Sequence, residues 1–324
     1  LDISLFDSKL QGTFDLYRRD TKDMLTKSKS LPSILGTSEP QSNAADMKTT
    51  GFEATFSYND KLNNGFKYGV TVILADAQSE ITRYDNPNGI ISDYYVGKKI
   101  GEIWGFVTDG LFQSDQEATQ LDQSQISGHK FLAGDIKFKD LDNDKKITRG
   151  SQTLSDHGDL KIIGNSTPRY SYGIKLNAEW KGFDLVVFCQ GVGKRDVSEG
   201  NTFFLAHYGS EWSVPQRINA DYWSPQNTNA YFPRPRIGNA SEVTQTQTRF
   251  LQNAAYIRLK ELTMGYTIPK QIVRKIGIEN FRVYFSGNNL WEHSKMLDIF
   301  DPEVSSTQTY PFTRSFSLGM NITL

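Results

Sequence analysis

The chain has 324 residues with a formal net charge of −1 and a pI near 6.5, so no basic excess indicates a nucleic-acid partner. Its mean hydropathy is −0.50, and no apolar run is long enough for a transmembrane helix. These values do not exclude a membrane β-barrel, because its alternating strands average to a polar composition.

Strand patterns begin at the first residue and are separated by connections of two kinds. Period-two alternation predicts strands over residues 1–6, 11–24, 51–58 and 66–76. Short polar turns join the first strand to the second and the third to the fourth. Residues 25–46, rich in Ser, Thr and Pro, form a predicted loop, and a very long excursion covers residues 78–167.

The clearest alternation lies in residues 169–180 and 312–324. In the first stretch every second residue is apolar or aromatic: Tyr170, Tyr172, Ile174, Leu176, Ala178 and Trp180. In the second, the same face carries Phe312, Phe316, Leu318, Met320, Ile322 and Leu324. Such runs exceed the usual soluble strand of about five or six residues. They match the roughly 9–11 residues with which a tilted strand crosses a bilayer, with one face toward lipid and the other toward a wet lumen.

The remaining strands are predicted over residues 183–193, 256–268 and 281–289, with a short helical or irregular turn at 270–277. Short and long connections therefore alternate, as in outer-membrane barrels with short periplasmic turns and long extracellular loops. About nine spanning strands result, whereas complete bacterial single-chain barrels have even counts. We therefore interpret the chain as the C-terminal part of a larger antiparallel transmembrane β-barrel. A soluble β-sandwich or jelly roll with long loops is the alternative.

Nine short motifs occur in order along the chain. They are GDIKFKDLDND (134–144), IIGNSTPRY (162–170), WKGFDL (180–185), QGVGKR (190–195), YWSPQN (222–227), YFPR (231–234), AYIRLKE (255–261), SGNNL (286–290) and DPE (301–303). Each motif is weak alone, but together they resemble the SusC/RagA family of TonB-dependent outer-membrane transporters from Bacteroidetes.

This resemblance implies a plugged barrel of about 22 strands, of which residues 1–324 would be the C-terminal portion. The plug domain and the N-terminal strands would lie outside the chain. The implied function is import of oligomeric nutrients, glycans or peptides, with a SusD-like surface lipoprotein as lid. Energy would come from the TonB complex through the missing N-terminal region. Outer-membrane lipid and lipopolysaccharide would surround the wall, and no enzymatic activity is expected.

An acidic stretch is a candidate structural calcium loop; no other cofactor is expected. The candidate ligands are Asp140, Asp142, Asp144, Asp156 and Asp159. The first three are spaced as in a D-x-D-x-D loop, whose backbone curls oxygen ligands around a hard cation. Lys145 stands where an EF-hand has glycine, and Ser151 stands where it has a bidentate acid. The alternative is an Asp/Asn turn satisfied by its own backbone.

Aromatic residues form two predicted groups. Six in the long connections are candidate substrate or lid contacts, with internal anchoring as the alternative: Phe203, Phe204, Tyr208, Trp212, Trp223 and Tyr231. Four beside the short turns are candidate membrane-interface aromatics, with strand-end packing as the alternative: Trp180, Phe183, Tyr266 and Phe281. Arg314 interrupts the apolar face of the last strand and would pair with lipopolysaccharide phosphate or with a protein group.

Two other classes of function are alternatives to transport. A soluble glycan-binding β-domain would use the same loop aromatics. An outer-membrane hydrolase would need an acid/base or Ser-His pair converging on one loop cluster, and the sequence offers no such spacing; loss of activity on changing His207 or Asp196 would revive this hypothesis. The four histidines, His129, His157, His207 and His293, lack His-x-x-x-His spacing, so the sequence predicts no zinc site.

Overall fold

The computed structural model describes residues 1–27, 40–198, 217–237, 241–304, 310 and 312–324. In chain order the strands are β1 (Asp2–Leu5), β2 (Leu10–Lys27), β3 (Gln41–Lys61), β4 (Lys67–Arg83), β5 (Glu102–Phe106), β6 (Thr108–Leu111), β7 (Ile136–Phe138), β8 (Leu160–Asn165), β9 (Arg169–Trp180), β10 (Phe183–Lys194), β11 (Asp196–Val197), β12 (Gln252–Asn253), β13 (Tyr256–Thr267), β14 (Asn280–Ser294) and β15 (Ser315–Thr323). The helices are α1 (Asp115–Ala118) and α2 (Lys270–Val273), with 3₁₀ turns at Arg217–Ala220 and Arg274–Ile276. Among the described residues, no helix combines the length and apolar character needed to cross a membrane.

Nine strands form one antiparallel sheet, which we call the wall. Its order is β1-β2-β3-β4-β9-β10-β13-β14-β15, so each wall strand pairs with the next wall strand along the chain. This confirms the predicted strand count. Short connections lie at one end of the wall (the short-turn end) and long connections at the other (the long-loop end), as the sequence predicts.

Several wall strands are longer than predicted. The loop predicted for residues 25–46 is wrong at both ends, because β2 continues to Lys27 and β3 begins at Gln41, which pairs with it. Likewise β4 continues to Arg83, into the predicted excursion. These extensions are polar, and ladder hydrogen bonds need no apolar side chains, so alternation of hydrophobicity does not mark them. The last strand is shorter than predicted, since β15 begins at Ser315.

The register gives the wall one apolar and one polar face. One cross-strand row on the apolar face is Phe56, Val72, Ile174, Cys189 and Leu259. The neighbouring row is Ser57, Thr71, Lys175, Phe188 and Glu261, one residue along each strand except β13, where a bulge puts Glu261 two residues from Leu259. Because successive side chains alternate, this second row lies on the polar face.

No second sheet covers the apolar face in the part of the chain that the structure describes. Leu176 is 41%, Leu318 83% and Ile322 50% exposed. A β-sandwich would bury these side chains between its sheets. The exposed apolar face therefore excludes the sandwich and agrees with a barrel wall.

The hydrophobic core lies in the long connections. We call this region the loop body and define it by its buried residues: Ile91, Phe106, Leu111, Phe112, Ala118, Ile126, Phe131, Ile136, Phe138, Ile147, Leu160, Trp223, Ala230, Phe232, Val243 and Phe250. Two small two-stranded antiparallel sheets, β5–β8 and β6–β7, contribute residues to it. The sequence did not predict these strands, because they are short and lack sustained alternation.

The β9–β10 hairpin shows why the short turns are tight. Lys181 has φ 48° and Gly182 has φ 88°, and the flanking Trp180 and Phe183 are paired. Two residues with positive φ match the right-handed twist of the strands. A Cβ on Gly182 would lie 2.6 Å from the carbonyl oxygen of Thr267, so the next strand also approaches too closely for a side chain.

Candidate functional site

The four predicted interface aromatics all lie at the short-turn end of the wall. Trp180 pairs with Phe183, which pairs with Tyr266, and the Phe183 and Tyr266 ring centroids are 4.5 Å apart. Phe281 pairs with Ile322 on the apolar face. Trp180 is 43% and Phe183 61% exposed, so strand-end packing leaves much of both rings uncovered.

The polar face carries ion pairs between wall strands. Arg282 of β14 donates to Asp184 of β10, with Nε and Oδ1 2.9 Å apart. Lys67 of β4 lies 2.9 Å from Glu179 of β9. Both pairs lie near the short-turn end and give this part of the face a mixed, closely balanced charge.

A buried arginine joins two of the nine motifs. Arg258, in the AYIRLKE motif, is fully buried on β13. Its Nη2 lies 2.9 Å from Asp301 and its Nη1 2.7 Å from Glu303, both in the DPE motif. Lys260 also pairs with Glu303, at 2.7 Å. The sequence showed both motifs but gave no sign that they meet; the structure shows that they fasten the segment after β14 to the wall.

Arg314 has a protein partner. Its Nη2 lies 3.3 Å from Glu292 on the neighbouring strand β14. Glu292 also lies 3.3 Å from Nε of Arg258. The protein alternative stated for Arg314 is therefore the one that the geometry favours over a lipid phosphate.

The structure brings together three of the five predicted calcium ligands. Asp140, Asp142 and Asp159 each offer one carboxylate oxygen within 4.8 Å of the others. Asp144 instead accepts the N–H of Lys146 at 2.7 Å. Asp156 accepts two hydrogen bonds from Ser151, one from the backbone N–H at 2.9 Å and one from the side-chain hydroxyl at 2.6 Å.

Backbone donors also serve the acidic loop. Asp140 accepts the N–H groups of Asn143 and Lys145 at 2.7 and 2.9 Å. Although burial opposes the shift, these donors hold the pKa of Asp140 below its usual value. Burial, with the nearby Asp142 and Asp140 carboxylates, raises the pKa of Asp159. The contacts expected of an Asp/Asn turn and the convergence expected of a cation site are thus present together.

Two of the six predicted contact aromatics can be placed, and both are internal anchors. Trp223 is 8% exposed and belongs to the core of the loop body. Tyr231 donates its hydroxyl to the carbonyl of Arg249 at 3.0 Å and accepts from Gln252 at 3.2 Å. Phe203, Phe204, Tyr208 and Trp212 lie outside the described residues, as does His207 of the hydrolase alternative. Asp196, its other candidate, accepts the N–H of Asn165 at 3.0 Å.

A second polar cluster lies inside the loop body and was not predicted. Asp135 and Glu242 are 0% and 1% exposed, and Arg236 Nη2 lies 2.7 Å from Asp135 Oδ2. Burial raises the pKa of Asp135 to about 6. Burial and the nearby Asp135 hold the pKa of Glu242 well above its usual value, and burial lowers the pKa of His129.

Comparison with known proteins shows which proteins the chain resembles. No family model matches the chain. It is 27% identical over 352 residues to TonB-dependent receptor P3 of Formosa agariphila, covering 99% of this chain and 33% of that protein. It is 21% identical over 333 residues to TonB-dependent receptor SusC of Bacteroides thetaiotaomicron, covering 99% of this chain and 31% of that protein. The resemblance to the SusC/RagA family is confirmed.

Solved structures show the same fold. A RagAB peptide transporter structure matches with a TM-score of 0.75 and 20% identity, covering 98% of this chain and 34% of that chain. A RagAB peptide importer in the open-open state matches with a TM-score of 0.73 and 21% identity, covering 99% of this chain and 33% of that chain. The SusC/RagA-like chain thus matches the C-terminal part of a transmembrane barrel, and it spans about a third of the length of the curated relatives it matches.

Proposed function

We propose that this SusC/RagA-like chain forms part of the wall and the outer loops of a TonB-linked outer-membrane importer. The observation that carries the proposal is the wall, whose nine strands have an exposed apolar face and a polar face. Nearly the whole sequence also aligns with a TonB-dependent receptor. The relatives are receptors and transporters, which favours a non-enzymatic function. The plug domain and the remaining strands would belong to other parts of the full-length protein.

The proposed orientation follows from the two ends of the wall. The long-loop end would face outward and the short-turn end the periplasm, as in outer-membrane barrels. Trp180, Phe183, Tyr266 and Phe281 would then lie at the inner membrane–water interface, where amphipathic rings are favoured. The exposed rings of Trp180 and Phe183 support this assignment.

The proposed partners are a SusD-like lipoprotein lid and the TonB complex. The lid is supported by the similarity to SusC and to the RagAB transporters. The substrate class remains oligomeric nutrient, glycan or peptide. The similarity to RagAB, a peptide transporter, supports the peptide class.

We also propose a structural calcium ion at Asp140, Asp142 and Asp159. The convergence of three carboxylates within 4.8 Å supports it, and the ion would stiffen the loop after β7. No catalytic role is assigned to it.

The orientation of the two faces can be tested with single cysteines in the full-length protein. In a Cys189→Ser background, Leu318→Cys and Ser317→Cys place a fluorophore on adjacent residues of β15 that face opposite sides. In vesicles containing nitroxide-labelled lipid, quenching should be strong at position 318 and weak at 317. Equal quenching at both positions would exclude a lipid-facing apolar side.

A further inference from the structure

Three donor side chains converge in the interior of the loop body. His129 and Asp135 lie in the segment before β7, and Glu242 lies far away in the chain, after β10. One donor atom from each lies within 4.8 Å of the other two. Asp135 and Glu242 are 0% and 1% exposed, so the convergence is not a solvated surface cluster.

The His129 ring is held in a fixed orientation. Its Nδ1 lies 2.5 Å from the hydroxyl oxygen of Ser127, and its ring lies 4.6 Å from that of Phe131, centroid to centroid. Its Nε2 lies 3.8 Å from Asp135 Oδ2. Within the described residues, this buried Nε2 has no hydrogen-bond partner. A metal-binding histidine typically has its ring oriented by a hydrogen bond at one nitrogen, while the other nitrogen binds the metal.

The two carboxylates leave acceptor capacity unused. Asp135 Oδ2 accepts the N–H of Leu132 at 2.7 Å, but Oδ1 is buried and has no partner in the described part of the chain. Glu242 accepts the N–H of Ile136 at 3.2 Å. Burying such groups unpaired is costly, so a partner that binds both an imidazole nitrogen and carboxylate oxygens would stabilise the site.

Arg236 does not supply that partner for the whole cluster. Its Nη2 lies beside Asp135 Oδ2, while its Nη1 donates to the carbonyl of Lys130 at 3.1 Å. In the described ranges, the ion pair of Arg236 is with Asp135, no ion pair joins Glu242 to a cationic side chain, and His129 Nε2 receives no hydrogen bond. The imidazole, Asp135 Oδ1 and the Glu242 carboxylate all remain available.

We propose that a divalent transition-metal ion of the zinc class binds between His129 Nε2, the Asp135 carboxylate and the Glu242 carboxylate. One imidazole with two carboxylates suits such ions, whereas calcium takes oxygen ligands. Bonds of about 2.1 Å to a tetrahedral ion separate its ligands by about 3.4 Å. His129 Nε2 lies 3.8 Å from the Oδ2 atom of the same carboxylate, and the oxygen left for the ion is Oδ1, which has no hydrogen-bond partner in the described part of the chain. Water fills the remaining positions.

The bound ion joins two distant segments of the loop body. It ties the segment before β7, through His129 and Asp135, to the segment that carries Glu242. Its role is to hold these two segments of the loop body together. It is separate from the proposed calcium ion, whose ligands are Asp140, Asp142 and Asp159.

The test is the zinc content of the full-length protein, purified in detergent without a histidine tag, stripped with a chelator and dialysed against Zn²⁺. Elemental analysis gives the stoichiometry, and competition with a fluorescent zinc indicator gives the affinity. His129→Gln and Glu242→Gln should each bind one Zn²⁺ fewer per chain than the unaltered protein. His293→Gln, which changes a histidine of β14 outside the cluster, is the matched control and should keep that equivalent.

Ser127→Ala supplies a second measurement that keeps every ligand. Loss of the hydroxyl that orients His129 should weaken zinc binding at this site by roughly ten- to hundredfold. Equal zinc content in the unaltered protein, His129→Gln and Glu242→Gln overturns the proposal. If those two variants do not fold, an unchanged zinc affinity in Ser127→Ala overturns it.

Discussion

Arg282 on β14 reaches Asp184 on β10 across the intervening strand β13. The contact is made at 2.9 Å between Nε and Oδ1. It requires Gly265 on β13, because a Cβ there would lie 2.5 Å from both Arg282 Nη2 and Asp184 Oδ1. The absence of a side chain at Gly265 thus lets one ion pair link β10 and β14 across β13 on the polar face.

Gly265→Val should destabilise the wall by separating Arg282 from Asp184. The added side chain has no room in the well-packed contact, so we expect a cost of about 1–3 kcal/mol. The measurement is the temperature at which the full-length barrel loses its folded mobility in detergent gels. Thr263→Val, on the same face of β13, removes hydroxyl hydrogen bonds to Glu261 and Ser286 but adds no bulk, so it should have a smaller effect. An equal loss in both variants would contradict the role of the glycine.

Arg258→Met should release the segment after β14 from the wall. It leaves Asp301 and Glu303 without their buried cation, and breaking one side of a buried ion pair costs about 3–5 kcal/mol. Limited proteolysis with mass spectrometry should show new cleavage after β14. Lys260→Met removes the more exposed cation and should give less cleavage. Identical digestion patterns for Arg258→Met and the unaltered protein would show that the network does not hold the segment.

Calcium binding should depend on three of the five acidic residues. Asp140→Asn and Asp142→Asn should each weaken binding by about tenfold or more, because ligand charge sets affinity at such sites. Asp156→Asn, in the same loop but engaged with Ser151, should leave calcium affinity unchanged. Terbium luminescence in the full-length protein measures all three. A loss in Asp156→Asn as large as in Asp140→Asn would show that the ligand set is wrong.

Helix α1 should loosen in acid. The N–H of Gln113, together with Lys137, holds the pKa of Glu117 below its ordinary value of 4.5. A carboxyl with a lowered folded pKa stabilises the fold above its unfolded pKa, and this contribution disappears as pH falls through the folded value. The protection factors of the amides at residues 113–119, which are exchange rates corrected for the intrinsic rate at each pH, should therefore fall below pH 4.5.

Glu117→Gln tests the cause of that acid response. Without the carboxylate, the protection factors at residues 113–119 should be lower at neutral pH and should change less on acidification. Glu279→Gln, in the connection before β14, serves as the control and should keep the normal pH response. An acid response in Glu117→Gln as large as in the unaltered protein would assign it to another group.

The wall was predictable because its signal is local. Leu176 and Leu318 alternate with polar neighbours every two residues, so the number, order and two faces of the strands follow from short stretches of sequence. Alternation does not predict the strand at Lys27 and Gln41, because these paired residues are both polar.

The candidate sites were only partly predictable. Asp140 and Asp142 are close in sequence, so their convergence follows from a single loop, but the exclusion of Asp144 and Asp156 depends on which backbone donors each meets. In the sequence, an aromatic residue such as Trp223 looks the same whether it contacts a ligand or anchors a loop. Only its burial in the structure shows that it is an internal anchor.

By itself, the sequence determined that this chain is a barrel wall with long loops, because alternation and turn chemistry act over a few residues. Only the tertiary structure decided which loop residues meet: Arg258 with Asp301, and His129 with Glu242. Those contacts depend on the path of long connections between the strands. That path is set by burial of the loop-body core and by pairing of buried charges, which no short-range pattern records.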